Sequence, residues 1–367
     1  MIRKLNRIFQ DYMREKRLKI GKYIWDRKEK EKIVEGNNFI EDNNIKSILF
    51  LRYDGKIGDM VVNTLMFREI KKSYPDIKIG VVTRGGAKDI ISNNKNVDRI
   101  YEYNKKSSEV KKLAREIALE KYDLLIDFSE MLRVNQMMFI NMCKAKINIG
   151  INKRNWNLFE VSLKSIDYHK HISSLYLENL KFLGIKNINK KYDIIPTNCI
   201  LEEIGMKNKK YCVFNPYAAS RHRSLNLENI IKISEIILKK EFDKLILIGT
   251  KDHLKELEKV KEKLGEKIVI PKTKNILEVI EIISQADLVI TPDTSIVHIA
   301  AAFEKNMICI YRREIGKEDK NSILWGPNYS HASVLFVEKK VKNGEEIDIN
   351  DLDINLLNEE MKGKLWK

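Results

Sequence analysis

The chain has 367 residues, 43% hydrophobic and 33% charged, enough for two globular domains, and no uncharged apolar run long enough for a transmembrane helix. Its formal charge of +16 calls for an anionic partner: nucleic acid, an anionic membrane surface or a phosphorylated substrate. Cys143, Cys199, Cys212 and Cys309 are scattered with no CxxC pair, which argues against a disulfide framework or zinc site and reads as buried thiols of a reducing compartment. With no short apolar secretory core at the N-terminus, a cytoplasmic location is expected.

Residues 1–34 carry twelve basic and five acidic residues. Leu5, Ile8, Phe9, Tyr12, Ile20, Tyr23 and Ile24 recur at helical spacing, which predicts an amphipathic helix with Lys and Arg on its other side. Two readings stand open: a helix lying in an anionic membrane interface, or one packed on the body by its apolar stripe. "EGNNFIEDNN" (35–44) then reads as a polar linker.

From Ser47 onward, short apolar runs alternate with amphipathic stretches. "SILFLRY" (47–53), "IKIGVVT" (77–83), "YDLLIDF" (122–128) and "KINIGI" (146–151) read as doubly buried strands, separated by helices such as "MVVNTLMFREIKKSY" (60–74). A second series follows: "YCVFNPY" (211–217), "KLILIGT" (244–250), "EKIVI" (266–270), "ADLVIT" (286–291) and "NMICIY" (306–311). Two successive βα series predict two doubly wound α/β domains facing across a cleft. The expected divisions are a basic extension over 1–45, a first domain over 46–195, a second over 196–345 and a helical tail over 346–367.

Ligands of open α/β sheets bind at the carboxyl ends of the strands, where helix N-termini favour anions. Three strand-to-helix junctions are unusual there. In "RYDGKIGDMVVNT" (52–64), Gly55 and Gly58 permit close backbone approach and leave Asp59 at the helix start, as a functional carboxylate or a plain cap. This is neither GxGxxG nor a Walker loop. In "FNPYAASRHRSLNLENI" (214–230), Ser220, Arg221, His222 and Arg223 crowd together, and arginine forks suit phosphate oxygens; a solvated basic loop is the alternative. In "ITPDTSIVHIAAAF" (290–303), Asp293, Thr294 and Ser295 precede a helix whose free N–H groups and hydroxyls suit a diphosphate or sugar. His298 follows one turn later, as a structural hydrogen-bonder or a site residue.

In this order the junctions resemble glycosyltransferase family 9, the heptosyltransferases. "RYDGKIGDMVVNTLMFREIKKSYP" is similar to the family's opening strand and Gly-Asp turn. "FNPYAASRHRSLNLENI" is similar to its small-residue turn and basic cluster, and "KLILIGTKDH", carrying Gly249, to the strand that follows. "SQADLVITPDTSIVHIAAAFEKNMICIY" matches the Ala-Asp-Leu-Val, Asp-Thr and His-Ala-Ala elements, while "HISSLYLENLKFLGI" and "WGP" (325–327) also resemble family elements. The likeness covers about 46–340. Ser295 and Ile296 stand where the family usually has Gly-Pro, and Arg221 and Arg223 where many members carry Lys before Trp.

The resemblance implies a GT-B fold of two Rossmann-like domains and inverting transfer of a heptose from an ADP-sugar to a lipopolysaccharide core or lipid A precursor. Asp59 would be the catalytic base, with Asp54 a weaker candidate. Gly58, Ser220, Arg221, Arg223, Gly249, Asp293, Thr294, Ser295 and His298 would contact substrate, the arginines and helix-start N–H groups meeting the leaving diphosphate. No metal or other cofactor is expected to be obligatory. The alternative is a GT-B enzyme or epimerase with another donor, such as a UDP-sugar; a non-catalytic sugar-nucleotide binder is a further rival. A nucleic-acid partner is not expected, because no RNP, zinc-finger or helix-turn-helix signature occurs. The basic leader would place the enzyme on the cytoplasmic face of the inner membrane, whose anionic surface would be a partner.

Overall fold

The computed structural model describes residues 2–27, 38–197, 199–342 and 345–362, with side chains from residue 9 onward. Lys28, Lys30 and Lys32 of the basic leader, the side chains of Leu5 and Ile8, positions 35–37 of the linker and the end of the tail lie outside them.

Two six-stranded parallel sheets form the molecule. The first joins β1 (Ser47–Leu51), β2 (Lys78–Thr83), β3 (Arg99–Glu102), β4 (Leu124–Asp127), β5 (Ile147–Ile151) and β6 (Val161–Leu163) in the order β3-β2-β1-β4-β5-β6. The second joins β7 (Tyr211–Phe214), β8 (Lys244–Leu247), β9 (Ile268–Val269), β10 (Leu288–Pro292), β11 (Met307–Glu314) and β12 (Ala332–Lys339) in the order β12-β11-β10-β7-β8-β9. Counted from its own first strand, each sheet has the same Rossmann order. The inner strands are buried on both faces, as β1, β4 and β7 illustrate, because helices cover each sheet on both sides.

Strands β3, β6 and β12 were not among the expected strands, although β12 contains the apolar run Val334 to Val337. All three are sheet edges, and their partly exposed residues lack the double burial that makes an inner strand legible. The linker is less polar than its composition suggests. Phe39 and Ile40 form a helical turn, Phe39–Asp42, and are buried, with the Phe39 ring 4.8 Å from that of Phe182. The tail packs on the second lobe, where Ile349, Leu352 and Leu357 join the core around Phe214 and Ile230. Cys143, Cys212 and Cys309 are buried free thiols, but Cys199 is exposed, which corrects the expectation that all four are buried.

The lobes share one apolar core. Met60, Val61 and Leu65 of the helix Ile57–Ser73 belong to the same buried cluster as Ile296, Val297 and Ile299 of the helix Ser295–Ala302. The crossing segment is tied down by the buried carboxylate of Glu281, which accepts from the Thr197 hydroxyl at 2.6 Å, Cys199 N–H at 3.0 Å and Leu201 N–H at 3.1 Å. In both sheets the first and fourth strands are neighbours, so each reverses its strand order there. The cleft opens across these two switch points.

Candidate active site

The cleft has a volume of about 930 Å³ and is lined from both lobes, by residues 55–59 of the first and by Asn215, Arg223, Gly249, Asp293, Ser295 and His298 among others of the second. Gly55 has φ +72°, and a β-carbon there would lie 3.0 Å from the Arg84 carbonyl oxygen, so the turn after β1 requires glycine. It leads into the helix Ile57–Ser73, whose N-cap is Lys56. Asp59 therefore lies inside the first turn and is not the cap. Its Oδ1 sits 2.8 Å from Arg52 Nη2 and its Oδ2 4.0 Å from Lys56 Nζ. Arg52, at the end of β1, is buried and also donates to the Tyr176 hydroxyl at 3.5 Å.

Across the cleft, the β7 and β10 ends are knitted together. Asn215 Nδ2 donates to Thr291 Oγ1 at 3.0 Å, and Thr291 and Thr294 share a hydroxyl hydrogen bond of 3.1 Å. Thr294 caps the helix Ser295–Ala302 by accepting from Ile296 N–H at 3.2 Å. Its hydroxyl is thus engaged within the fold, while Thr294 and Ser295, both partly buried, line the cleft at the helix start. Asp293 Oδ2 accepts from Asn321 at 2.8 Å and pairs with Arg223 Nη1 at 3.3 Å. The cation facing the helix start is consequently oriented by an anion beside it.

His298 closes the junction between lobes. A β-carbon on Gly58 would lie 2.6 Å from His298 Cδ2, so the first lobe approaches the second there by its backbone. The imidazole lies 6.3 Å from the His171 ring and 6.0 Å, edge to face, from Trp325. Burial lowers the His298 pKa to about 4. His171 is lowered to about 3 by burial and by the neighbouring His298. Both rings are neutral near pH 7, so His298 supplies packing and hydrogen-bonding capacity there without a positive charge.

The remaining sequence-derived site residues separate into two groups. Gly249 lines the cleft beside a stacked pair, Tyr217 and His253, whose rings lie 3.6 Å apart at 7°. Ser220 and Arg221 are exposed and are not among the residues lining the cleft. Arg221 to Arg223 form a 3₁₀ turn, and residues two apart on such a turn point different ways. Asp54 is exposed and lines an adjoining cavity of about 690 Å³ with Gly55, Arg84 and Tyr103, its carboxylate 3.7 Å from the Arg52 guanidinium that also meets Asp59. Among the residues lining the main cleft, Lys56, Arg223, Lys251 and Lys274 outnumber Asp59 and Asp293, a balance that suits a dianionic ligand.

Residues 110–345 match the sequence model of glycosyltransferase family 9 (heptosyltransferase). The chain belongs to this glycosyltransferase family. The Escherichia coli K12 protein named "Putative lipopolysaccharide heptosyltransferase 4" is 26% identical over 342 residues, covering 89% of each chain. Lipopolysaccharide heptosyltransferase 1 of Campylobacter coli is 22% identical, covering 85% of this chain and 95% of that one. Among solved structures, the family 9 glycosyltransferase of Veillonella parvula superposes with a TM-score of 0.73 at 18% identity, covering 87% of this chain and 97% of its own. The fold is GT-B, and the protein is a glycosyltransferase of a heptosyltransferase family of lipopolysaccharide biosynthesis.

In this family 9 member, several residues in or behind the cleft went unmarked in the sequence. Arg52 reads as the tail of an apolar strand, and only its position seven residues before Asp59 hints at a partner. Asn321, at the start of the helix Asn321–Trp325, and Asn275, just before the helix Ile276–Ser284, line the cleft without belonging to a motif. Asn275 accepts from Leu277 and Glu278 N–H at 2.9 and 3.2 Å, a capping signal that was present in "KNILE".

Proposed function

We propose that the protein is an inverting transferase that moves a heptose from ADP-heptose to an acceptor of the lipopolysaccharide core. The observation that carries this reading is the placement of the Asp59 carboxylate on the same cleft as Arg223, Ser295 and His298. Asp59 takes the proton of the acceptor hydroxyl as its oxygen bonds to the anomeric carbon from the face opposite the leaving group. The bond from that carbon to the diphosphate oxygen breaks with inversion, and the nucleoside diphosphate leaves with the electron pair. Arg223, Lys274 and the N-terminus of the helix Ser295–Ala302 meet the growing charge. Arg52 keeps the Asp59 carboxylate oriented, and neutral His298 holds the helix start against Gly58.

Support for the donor comes from relatives of the same fold. E. coli heptosyltransferase WaaC was solved with ADP and with ADP-2-deoxy-2-fluoro heptose, at TM-scores of 0.68 and 0.64 and identities of 15% and 14%. The base would rest near Gly249 and the Tyr217–His253 stack, leaving the diphosphate at Ser295. Ser295 and Ile296, in place of Gly-Pro, keep the donor's identity the sharpest point to test. Calorimetric titration with ADP and UDP, followed by transfer from ADP-heptose to a core acceptor, decides it. Tighter binding of ADP and transfer that vanishes in Asp59→Asn are expected. Preference for UDP overturns the donor assignment, and normal turnover by Asp59→Asn removes the base.

A further inference from the structure

The N-terminal helix, Ile2–Trp25, turns its apolar stripe away from the protein. On a helix of 3.6 residues per turn, Phe9, Tyr12, Met13, Ile20, Tyr23 and Ile24 share one side. Phe9 is 62% exposed, Ile20 59% and Tyr23 76%. The opposite side makes the attachment. Gly21 is buried so tightly that a β-carbon would lie 2.8 Å from Val134, and Trp25 packs into the core of the first lobe. Lys22 donates to the Asn155 carbonyl at 2.9 Å, and its ammonium lies 4.4 Å from the Trp156 ring centroid. Asp26 accepts from Leu158 N–H at 2.8 Å. The packed-on-the-body reading of the stripe is thereby excluded for its described residues: the helix is held by its other face.

An exposed apolar face of this size marks an interaction surface. Its charge selects the partner. Arg14, Lys16, Arg17, Lys19 and Arg27 are exposed around the stripe, and the sequence adds Arg3, Lys4 and Arg7 in the preceding turns. Lys16 lies within the apolar sector, its ammonium 4.6 Å from the Tyr12 ring centroid, an arrangement in which the stem shares the apolar environment while the charge reaches outward. Aromatic rings beside flexible cations fit the headgroup layer of a bilayer, where each basic residue adds about fivefold to partitioning onto anionic lipid. A second copy of the chain would place like charges face to face.

We propose that this helix is an interfacial anchor that lays Phe9, Tyr12, Ile20, Tyr23 and Ile24 into the surface of an anionic lipid bilayer, with the body held on the far side through Gly21 and Trp25. The proposal is independent of the donor and of the catalytic role of Asp59.

Flotation of the full chain with vesicles of phosphatidylglycerol and phosphatidylcholine, and of phosphatidylcholine alone, tests it. The protein should float with the mixed vesicles and stay behind with the neutral ones. The combined variant F9S/I20S/Y23S/I24S, whose charge is unchanged, should bind at least tenfold less, as should K16E/R17E/K19E. Both variants should keep the thermal midpoint and soluble transferase rate, since neither alters the packed face. Three outcomes overturn the proposal: no flotation of the unmodified chain, equal flotation of both variants, or a dimer in solution that becomes monomeric in the serine variant without any vesicle binding.

Discussion

The guanidinium of Arg52 meets the carboxylate of Asp59 at 2.8 Å, with side-chain exposures of only 6% and 14%. Arginine remains protonated throughout the physiological range, so the carboxylate that faces the cleft is always beside a fixed positive charge. Truncating one member of such a pair strands the other. Arg52→Met should therefore destabilise the fold by about 3–5 kcal/mol and lower the transfer rate together with the urea midpoint. A full-strength midpoint would show that the pair does not anchor the turn.

Asp59→Asn separates catalysis from donor binding. Loss of the proposed general base should lower kcat by roughly 10²–10⁴-fold, while calorimetric affinity for ADP, which the proposed mechanism assigns to the second lobe, stays within about twofold, well short of the factor of ten that 1.4 kcal/mol represents. Parallel loss of affinity and rate would assign Asp59 to donor binding.

Gly58→Ala places a methyl group 2.6 Å from the His298 ring. Overpacking of this kind costs about 1–3 kcal/mol. The double variant G58A/H298A should recover most of the lost stability, because the two positions meet directly. Additive losses in the double-mutant cycle would mean that the strain is relieved elsewhere.

Acid should weaken the molecule earlier than its carboxylates alone would dictate. The His298 pKa lies at about 4 in the fold against 6.5 for the free side chain, so between these values the unfolded chain binds the extra proton. Its contribution is complete above pH 6.5, declines as pH falls, and is exhausted near pH 4; His171 behaves alike down to about 3. From pH 7 to pH 5 the His298 share amounts to about 2 kcal/mol of lost stability. Urea titrations at both values should show this drop, reduced in His298→Gln.

Arg223 and Arg221 should respond differently. The Arg223–Asp293 pair at 3.3 Å is partly exposed, so breaking it changes stability by under about 1 kcal/mol. Arg223→Ala should nevertheless weaken ADP binding by about tenfold, through loss of a charged hydrogen bond. Arg221→Ala, outside the cleft lining, should leave affinity unchanged. Equal losses from both would restore the arginine cluster as a unit.

How much of this was legible depended on burial. Runs such as "SILFL" and "LVIT" announced inner strands because both their faces are covered, whereas the short β3 ("RIYE") does not stand out from a loop, and the apolar "VLFV" of β12 sits on a partly exposed edge after a loop that hides its start. Asp59, Asp293 and Ser295 could be located because turns at strand ends carry residues of distinct type. Arg52 could not, since a cation at the end of an apolar run looks the same whether it meets solvent or a carboxylate. Ser220 and Arg221 were grouped with Arg223 by adjacency, which a 3₁₀ turn dissolves. The N-terminal stripe was visible in the spacing, but spacing alone does not say which side of a helix touches the body; Gly21 against Val134 does.

The unbroken apolar cluster running from Met60 to Ile299 has a mechanical consequence. A two-lobed enzyme is readily pictured as rigid bodies on a hinge, but here part of each lobe's interior is the other lobe. Separating them wets Val61 and Ile296 together, so heating should melt the chain in one calorimetric transition, and severing the crossing near Thr197 should leave two sticky halves rather than two soluble domains.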